Sequence, residues 1–197
     1  MHNVGITKPM LSEADVFWGE ISPCEHLVQI YQDEGVFLDS LEGFVAGGIV
    51  AGDGVVVIAT PQHLASLNER LTARNIDFAA AIHNDQYLAL DAEDTLSKFM
   101  VMGWPDEDFF KAFVTDILKR AKGNNRRFRA FGEMVALLWA RGSSGATVHL
   151  EHLWQRIYQE QSFPVLCAYP KIEFTRDVFA SIKEVCDAHS RVIPERH

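Results

Sequence analysis

Residues 26–60 read HLVQIYQDEGVFLDSLEGFVAGGIVAGDGVVVIAT, and this stretch decides the fold. HLVQIY at 26–31 and VVVIAT at 55–60 are short apolar runs rich in β-branched residues, the pattern of strands buried on both faces. Between them Phe37, Leu38, Leu41, Phe44, Val45 and Ile49 recur at steps of three and four, the period of an amphipathic helix. Strand, helix, strand in this order predicts a βαβ unit of a parallel sheet with a right-handed crossover. In a nucleotide-binding α/β protein the turn after the first strand carries a phosphate loop. Here it reads YQDEGVF at 31–37, with Asp33 and Glu34 and no Gly-Lys-Ser/Thr. Carboxylates at that turn repel a triphosphate, so the plan is that of a nucleotide-binding protein without its phosphate chemistry.

The rest of the chain extends the alternation. PQHLASLNERLTARN at 61–75 predicts a helix, with Pro61 in its first turn and Leu64, Leu67 and Leu71 as its buried stripe. FAAAIHNDQYLALD at 78–91 reads as one or two short strands around His83-Asn84-Asp85. Asp91 is placed to cap a helix over AEDTLSKFMVM, and Gly103-Trp104-Pro105-Asp106 breaks the pattern. A helix follows through Lys122, with Phe109, Phe110, Phe113, Ile117 and Leu118 as its apolar face. RRFRAFG reads as a strand, EMVALLWARG as a helix, residues 146–159 as a further helix and VLCAY as a strand ended by Pro170. TRDVFASIKEVCDAHS predicts a closing helix, after which SRVIPERH trails off. The expected fold is α/β, a doubly wound, mainly parallel sheet with VVVIAT, RFRAFG and VLCAY as central strands. Residues 1–15 read as a loose arm whose successors Val16, Phe17 and Trp18 dock, and residues 16–197 as a single domain.

Composition narrows the function classes. At 48% hydrophobic and 23% charged the chain is an ordinary globular protein, and 197 residues suffice for a substantial core. A formal charge of −9 argues against direct nucleic-acid or membrane binding. The basic run of Lys119, Arg120, Lys122, Arg126, Arg127 and Arg129 reads as a solvated helix end. An odd number of cysteines, Cys24, Cys167 and Cys186, and no export pattern at the N-terminus predict reduced thiols in the cytoplasm.

In an open parallel sheet, ligands bind at the carboxyl ends of the strands. The groups that fall there and suit a small ligand are Tyr31, Gln32, Thr60, His63, Glu133 and Tyr169. They mix aromatic faces with a few hydrogen-bonding groups, as a ligand pocket does. Glu133, just past RRFRAFG, stands where many ATPases hold a catalytic base, but it also starts a helix, whose dipole favours an acid. Without a phosphate-binding lysine, hydrolysis lacks its electrostatic centre. Cys24-x-His26 and Cys186-x-x-His189 offer two chelating pairs if the chain ends meet, against the plainer reading of core thiols and hydrogen-bonded histidines; no metal is assigned. A nucleophile among Ser143, Ser144 and Cys167 with His149, His152 or His189 lacks a Gly-x-Ser-x-Gly elbow, and no catalytic residue is assigned. Of the aromatic residues, Trp104 alone falls in a turn, where it suits a lid or a partner contact.

Six phrases together carry a family resemblance: FWGEISPCEHLVQIY at 17–31, FVAGGIVAGDGVVVIAT at 44–60, FRAFGEMVALLWARG at 128–142, LEHLW at 150–154, LCAYP at 166–170 and CDAHS at 186–190. They resemble the MEDS domain, the sensory domain named from regulators of methanogens and methylotrophs, over about residues 17–195. The resemblance implies a RecA- or KaiC-like three-layer core that has lost its ATPase motifs, and a role in sensing. Relatives are joined to histidine kinase or DNA-binding modules, for which this chain has no evident room. The expectation is therefore a stand-alone, non-enzymatic bacterial sensory domain without a cofactor. It binds an unknown small ligand and acts on a protein partner such as a histidine kinase or transcription regulator, as a monomer or homo-oligomer. The alternative is a degenerate nucleotide-binding protein or ATPase.

Overall fold

The computed structural model describes residues 18, 21–22, 25–74, 76–123, 125–171 and 189–193. The opening unit is β1 (His26–Tyr31), α1 (Glu34–Val50) and β2 (Gly54–Ala59). Then come α2 (Pro61–Ala73), α3 (Phe78–His83), β3 (Tyr87–Asp91) and α4 (Ala92–Ser97). A two-residue hairpin, β4 (Met100–Val101) and β5 (Trp104–Pro105), leads into α5 (Glu107–Lys122). The rest is β6 (Phe128–Gly132), α6 (Met134–Ala140), α7 (Ser144–Gln161), β7 (Val165–Pro170) and β8 (Arg191–Ile193). Six strands form one sheet in the order β3-β2-β6-β7-β1-β8, and every pairing in it is parallel.

Strand alternation explains the two helical layers. Leu27, Val55, Val57, Phe131, Leu166 and Ala168 point to one face and pack under α1, α2 and α3. Val28, Val56, Ile58, Ala130, Val165 and Cys167 point to the other and pack under α4, α5, α6 and α7. The result is a doubly wound three-layer α/β fold. The strands expected to be central are buried along their length, and β2, β6 and β7 lie side by side.

Local signals set the helix starts. Asp33, Thr60, Asp77, Asp91 and Asp106 each accept a backbone N–H three residues on, satisfying one of the amides a helix leaves open. The Asp77 cap corrects one expectation: FAAAIH is a helix, and only YLALD is a strand. The α4 helix stops at Ser97, so Met100 and Val101 belong to the hairpin instead. Phe109 is exposed rather than on the buried face of α5. RVI, expected to trail off, adds a parallel edge strand to β1. Trp18 docks, edge-on to Phe44 at 5.6 Å between ring centroids. The expected arm, Val16, Phe17, Cys24, Cys186 and the helix over TRDVFASIKEVCDAHS lie outside the described residues.

Arg129 departs most from its expected place. It is 1% exposed, on the α1 side of β6, with its Nη2 donating to Asp53 Oδ2 at 2.5 Å. Its Nη1 donates to the carbonyls of Trp18 at 2.6 Å and Phe44 at 3.2 Å. A buried guanidinium survives because each edge of its planar fork meets an acceptor.

Candidate functional site

The strand order creates a topological switch between β2 and β6. From β2 the chain turns towards β3 through the α2 layer, whereas from β6 it turns towards β7 through the α6 and α7 layer. The helices after β2 and β6 therefore diverge at the carboxyl ends of these neighbours, where open α/β sheets bind ligands.

Glu133 stands at that point. Its backbone N–H donates to Ile58 O of β2 at 2.9 Å. Its side chain makes no cap for α6, although it precedes that helix. It reaches across instead, and Oε2 accepts the backbone N–H of Thr60 at 2.9 Å, at the start of α2. Oε1 lies 2.6 Å from His63 Nδ1 in the first turn of α2. The other imidazole nitrogen, Nε2, lies 3.3 Å from Glu34 Oε1 at the start of α1, which also accepts from Gln62 Nε2 at 3.2 Å. One polar run thus joins the end of β6 to the starts of α2 and α1. A carboxylate of the protein occupies the kind of helix start that in nucleotide-binding proteins receives a phosphate.

Aromatic rings floor this run. Tyr31 stacks on Phe37 at 4.5 Å, and Phe37 meets His63 edge-on at 5.0 Å. Burial pulls the His63 pKa down. The hydrogen bond to Glu133 and the charges of Glu133 and Glu34 outweigh burial together, and the imidazole sits above its ordinary value.

Of the six residues expected at the rim, Tyr31, Thr60, His63 and Glu133 come together here. Gln32 is exposed beside them at the end of β1. Tyr169 is not brought to this group. It is fully buried on the opposite face, where its hydroxyl donates to Glu151 Oε1 of α7. Trp104 is half-exposed and stacks on His149 at 5.3 Å. A cavity of about 270 Å³ lies at the other end of the sheet, lined by Asp53, Arg126, Arg127 and Pro164 among others.

A second polar cluster escaped the linear reading. His26, Glu151, Cys167 and His189 are all buried, and the donor atoms they offer lie within 4.8 Å of one another. His26 and His189 do meet, with ring centroids 4.0 Å apart. Their neighbours are Cys167 and Glu151, whereas Cys24 and Cys186 fall outside the described residues. Burial, with Glu151 adding, pushes the Cys167 thiol well up, which disfavours the thiolate unless a cation is beside it. The signal available in sequence was Glu151 itself, an acid on the buried stripe of α7 with Thr147, Leu150 and Trp154.

Among the described residues no helix is long and apolar enough to cross a membrane. No curated protein matches the chain. A family model for the MEthanogen/methylotroph, DcmR Sensory domain (MEDS) matches residues 25–190, from just before β1 to just before β8. The chain belongs to the MEDS family of sensory domains, and its role is one of sensing and signalling.

Proposed function

We propose that this domain binds a small ligand at the carboxyl rim of its sheet, where β2 and β6 part, and reports binding to a separate output protein without catalysing a reaction. The observation that supports this most is the polar run Thr60–Glu133–His63–Glu34, which ties the end of β6 to α2 through Glu133 and α2 to α1 through His63 and Glu34. A ligand that draws Glu133 from the Thr60 amide frees the start of α2, and one that draws His63 from Glu34 parts α2 from α1. Such a ligand shifts the equilibrium only by its differential affinity for the two arrangements. Glu133 already holds the amide at the start of α2, so the ligand is smaller or less anionic than a nucleotide. The output protein is of the histidine kinase or transcription-regulator class.

Native mass spectrometry of freshly purified full-length chain tests this reading by showing retained small molecules. A retained compound that Tyr31→Ala and Glu133→Gln both release, in variants with unchanged circular dichroism, is the expected result. Retention unaffected by either change overturns the rim assignment in favour of another site, such as the basin beside Arg127. Magnesium-dependent ATP turnover lost in Glu133→Gln overturns the non-catalytic reading.

A further inference from the structure

We propose that His26, Glu151, Cys167 and His189 form a site for one tetrahedral divalent transition-metal ion, zinc by preference. These residues come from separate parts of the fold. The parallel register of β1 and β7 sets His26 opposite Val165 and Val28 opposite Cys167, so both ligand side chains face α7. Glu151 meets them from the buried stripe of α7. The neighbour of His189 fixes its place: Ser190 N donates to His26 O at 2.7 Å, and Ser190 Oγ accepts from His26 N at 2.9 Å.

Four of the six donor separations are those of metal ligands, and all six lie within 4.8 Å. Glu151 Oε2 lies 3.5 Å from Nε2 of His26 and 3.5 Å from Nε2 of His189. Cys167 Sγ lies 3.5 Å from His26 Nε2 and 3.6 Å from Glu151 Oε2. With metal–ligand bonds of about 2.0–2.3 Å, donors on a tetrahedron are roughly 3.3–3.7 Å apart. A hydrogen bond between imidazole and carboxylate would close to about 2.7–3.2 Å. The histidine–glutamate distances therefore fit a shared central ion better than direct bonding.

Charge and ligand type agree. Glu151 is 0% exposed, and its ion-pair partners among the described residues are these two histidines. A carboxylate buried so deeply calls for a compensating cation, and a divalent ion at the centre supplies it. Two imidazoles, one thiolate and one carboxylate are the donors of zinc rather than of magnesium or calcium. Tyr169 completes the arrangement by donating to Glu151 Oε1, which leaves Oε2 aimed at the centre. Outer partners of this kind fix ligand orientation. With four protein donors the site is closed and structural, and it pins the start of β8 to β1, β7 and α7.

The test uses the full chain carrying Cys24→Ser and Cys186→Ser, in which Cys167 is the remaining thiol of the three. Metal is removed, and the apo protein is titrated with Co²⁺, then with Zn²⁺ in competition. The expected result is one equivalent of Co²⁺ with tetrahedral visible bands and a thiolate-to-cobalt band in the near ultraviolet, displaced by Zn²⁺. Tyr169→Phe, which preserves shape, is expected to weaken binding about 10–100-fold. His189→Gln is expected to weaken it at least as much. Absence of stoichiometric binding overturns the proposal, as does binding without the thiolate band. Binding unchanged in both Tyr169→Phe and His189→Gln places the ion elsewhere and overturns it equally.

Discussion

Replacing Glu133 with glutamine removes one charge and one of two engaged acceptors, and its effect depends on pH in a direction the structure sets. Glutamine keeps its one oxygen for the Thr60 amide but turns its N–H₂ towards His63 Nδ1, so the protonated imidazole loses its acceptor there. A hydrogen bond between charged groups is worth about 1.5–3 kcal/mol, and the change costs roughly that much while His63 is protonated, because donor then faces donor. Solvent screens little of this, because the side chains are only 11% and 7% exposed. The His63 pKa is raised, so its contribution is complete below the ordinary value of 6.5 and is lost as pH rises through the folded value. The groups facing the imidazole, Glu133 on one nitrogen and Glu34 on the other, both favour the cation. Urea unfolding of the parent, Glu133→Gln, His63→Gln and the double variant yields the coupling energy. It should be about 1.5–3 kcal/mol near pH 6 and shrink near pH 9. A coupling that is the same at both pH values, or larger at the higher one, refutes a charged His63–Glu133 contact.

Two further stability changes follow from buried geometry. Arg129→Met should cost about 3–5 kcal/mol, because it strands a buried carboxylate. Arg127 still reaches Asp53 at 3.1 Å, which favours the lower half of that range; a loss under ~1 kcal/mol in urea unfolding contradicts the account. Gly54→Ala sets a Cβ 2.2 Å from the backbone oxygen of Ala121, whereas at Gly132 the nearest atom is 3.8 Å away. Thermal unfolding should show Gly54→Ala destabilised by about 1–3 kcal/mol or more and Gly132→Ala by much less; equal effects would refute the close approach of α5 to β2.

Much of the fold is legible in the chain because its central strands are buried on both faces. VVVIA, FRAFG and VLCAY are runs that only a covered sheet accommodates, and acidic or hydroxyl caps punctuate the helices. β8 was illegible because three residues, largely exposed, carry no periodic signal; its pairing with β1 defines it. Arg129 is illegible because a basic neighbourhood suggests solvent, and nothing local reveals Asp53 at the entry to the neighbouring strand. At the candidate site, the residues close to a strand end in sequence were readable, but the face on which each projects was not. Tyr31 and Tyr169 both end strands and point to opposite layers. Sequence spacing sets His26 with Cys24 and His189 with Cys186. The β1–β7 pairing instead supplies Cys167, 141 residues from His26.

The parallel β8–β1 pairing has a practical bearing on how signals leave the domain. Chain entering at His26 arrives at the amino end of the sheet, whereas chain passing Ile193, opposite Gln29, heads towards the carboxyl rim. Three strand spacings, roughly 14 Å, separate β8 from β6, where Glu133 sits. A reporter inserted directly after Ile193 therefore starts on the side of the candidate ligand site, and one inserted directly before His26 starts on the far side. Fluorophores placed at the two ends sample different events. The downstream one sits within reach of changes at Glu133 and His63, and the upstream one serves as its internal reference.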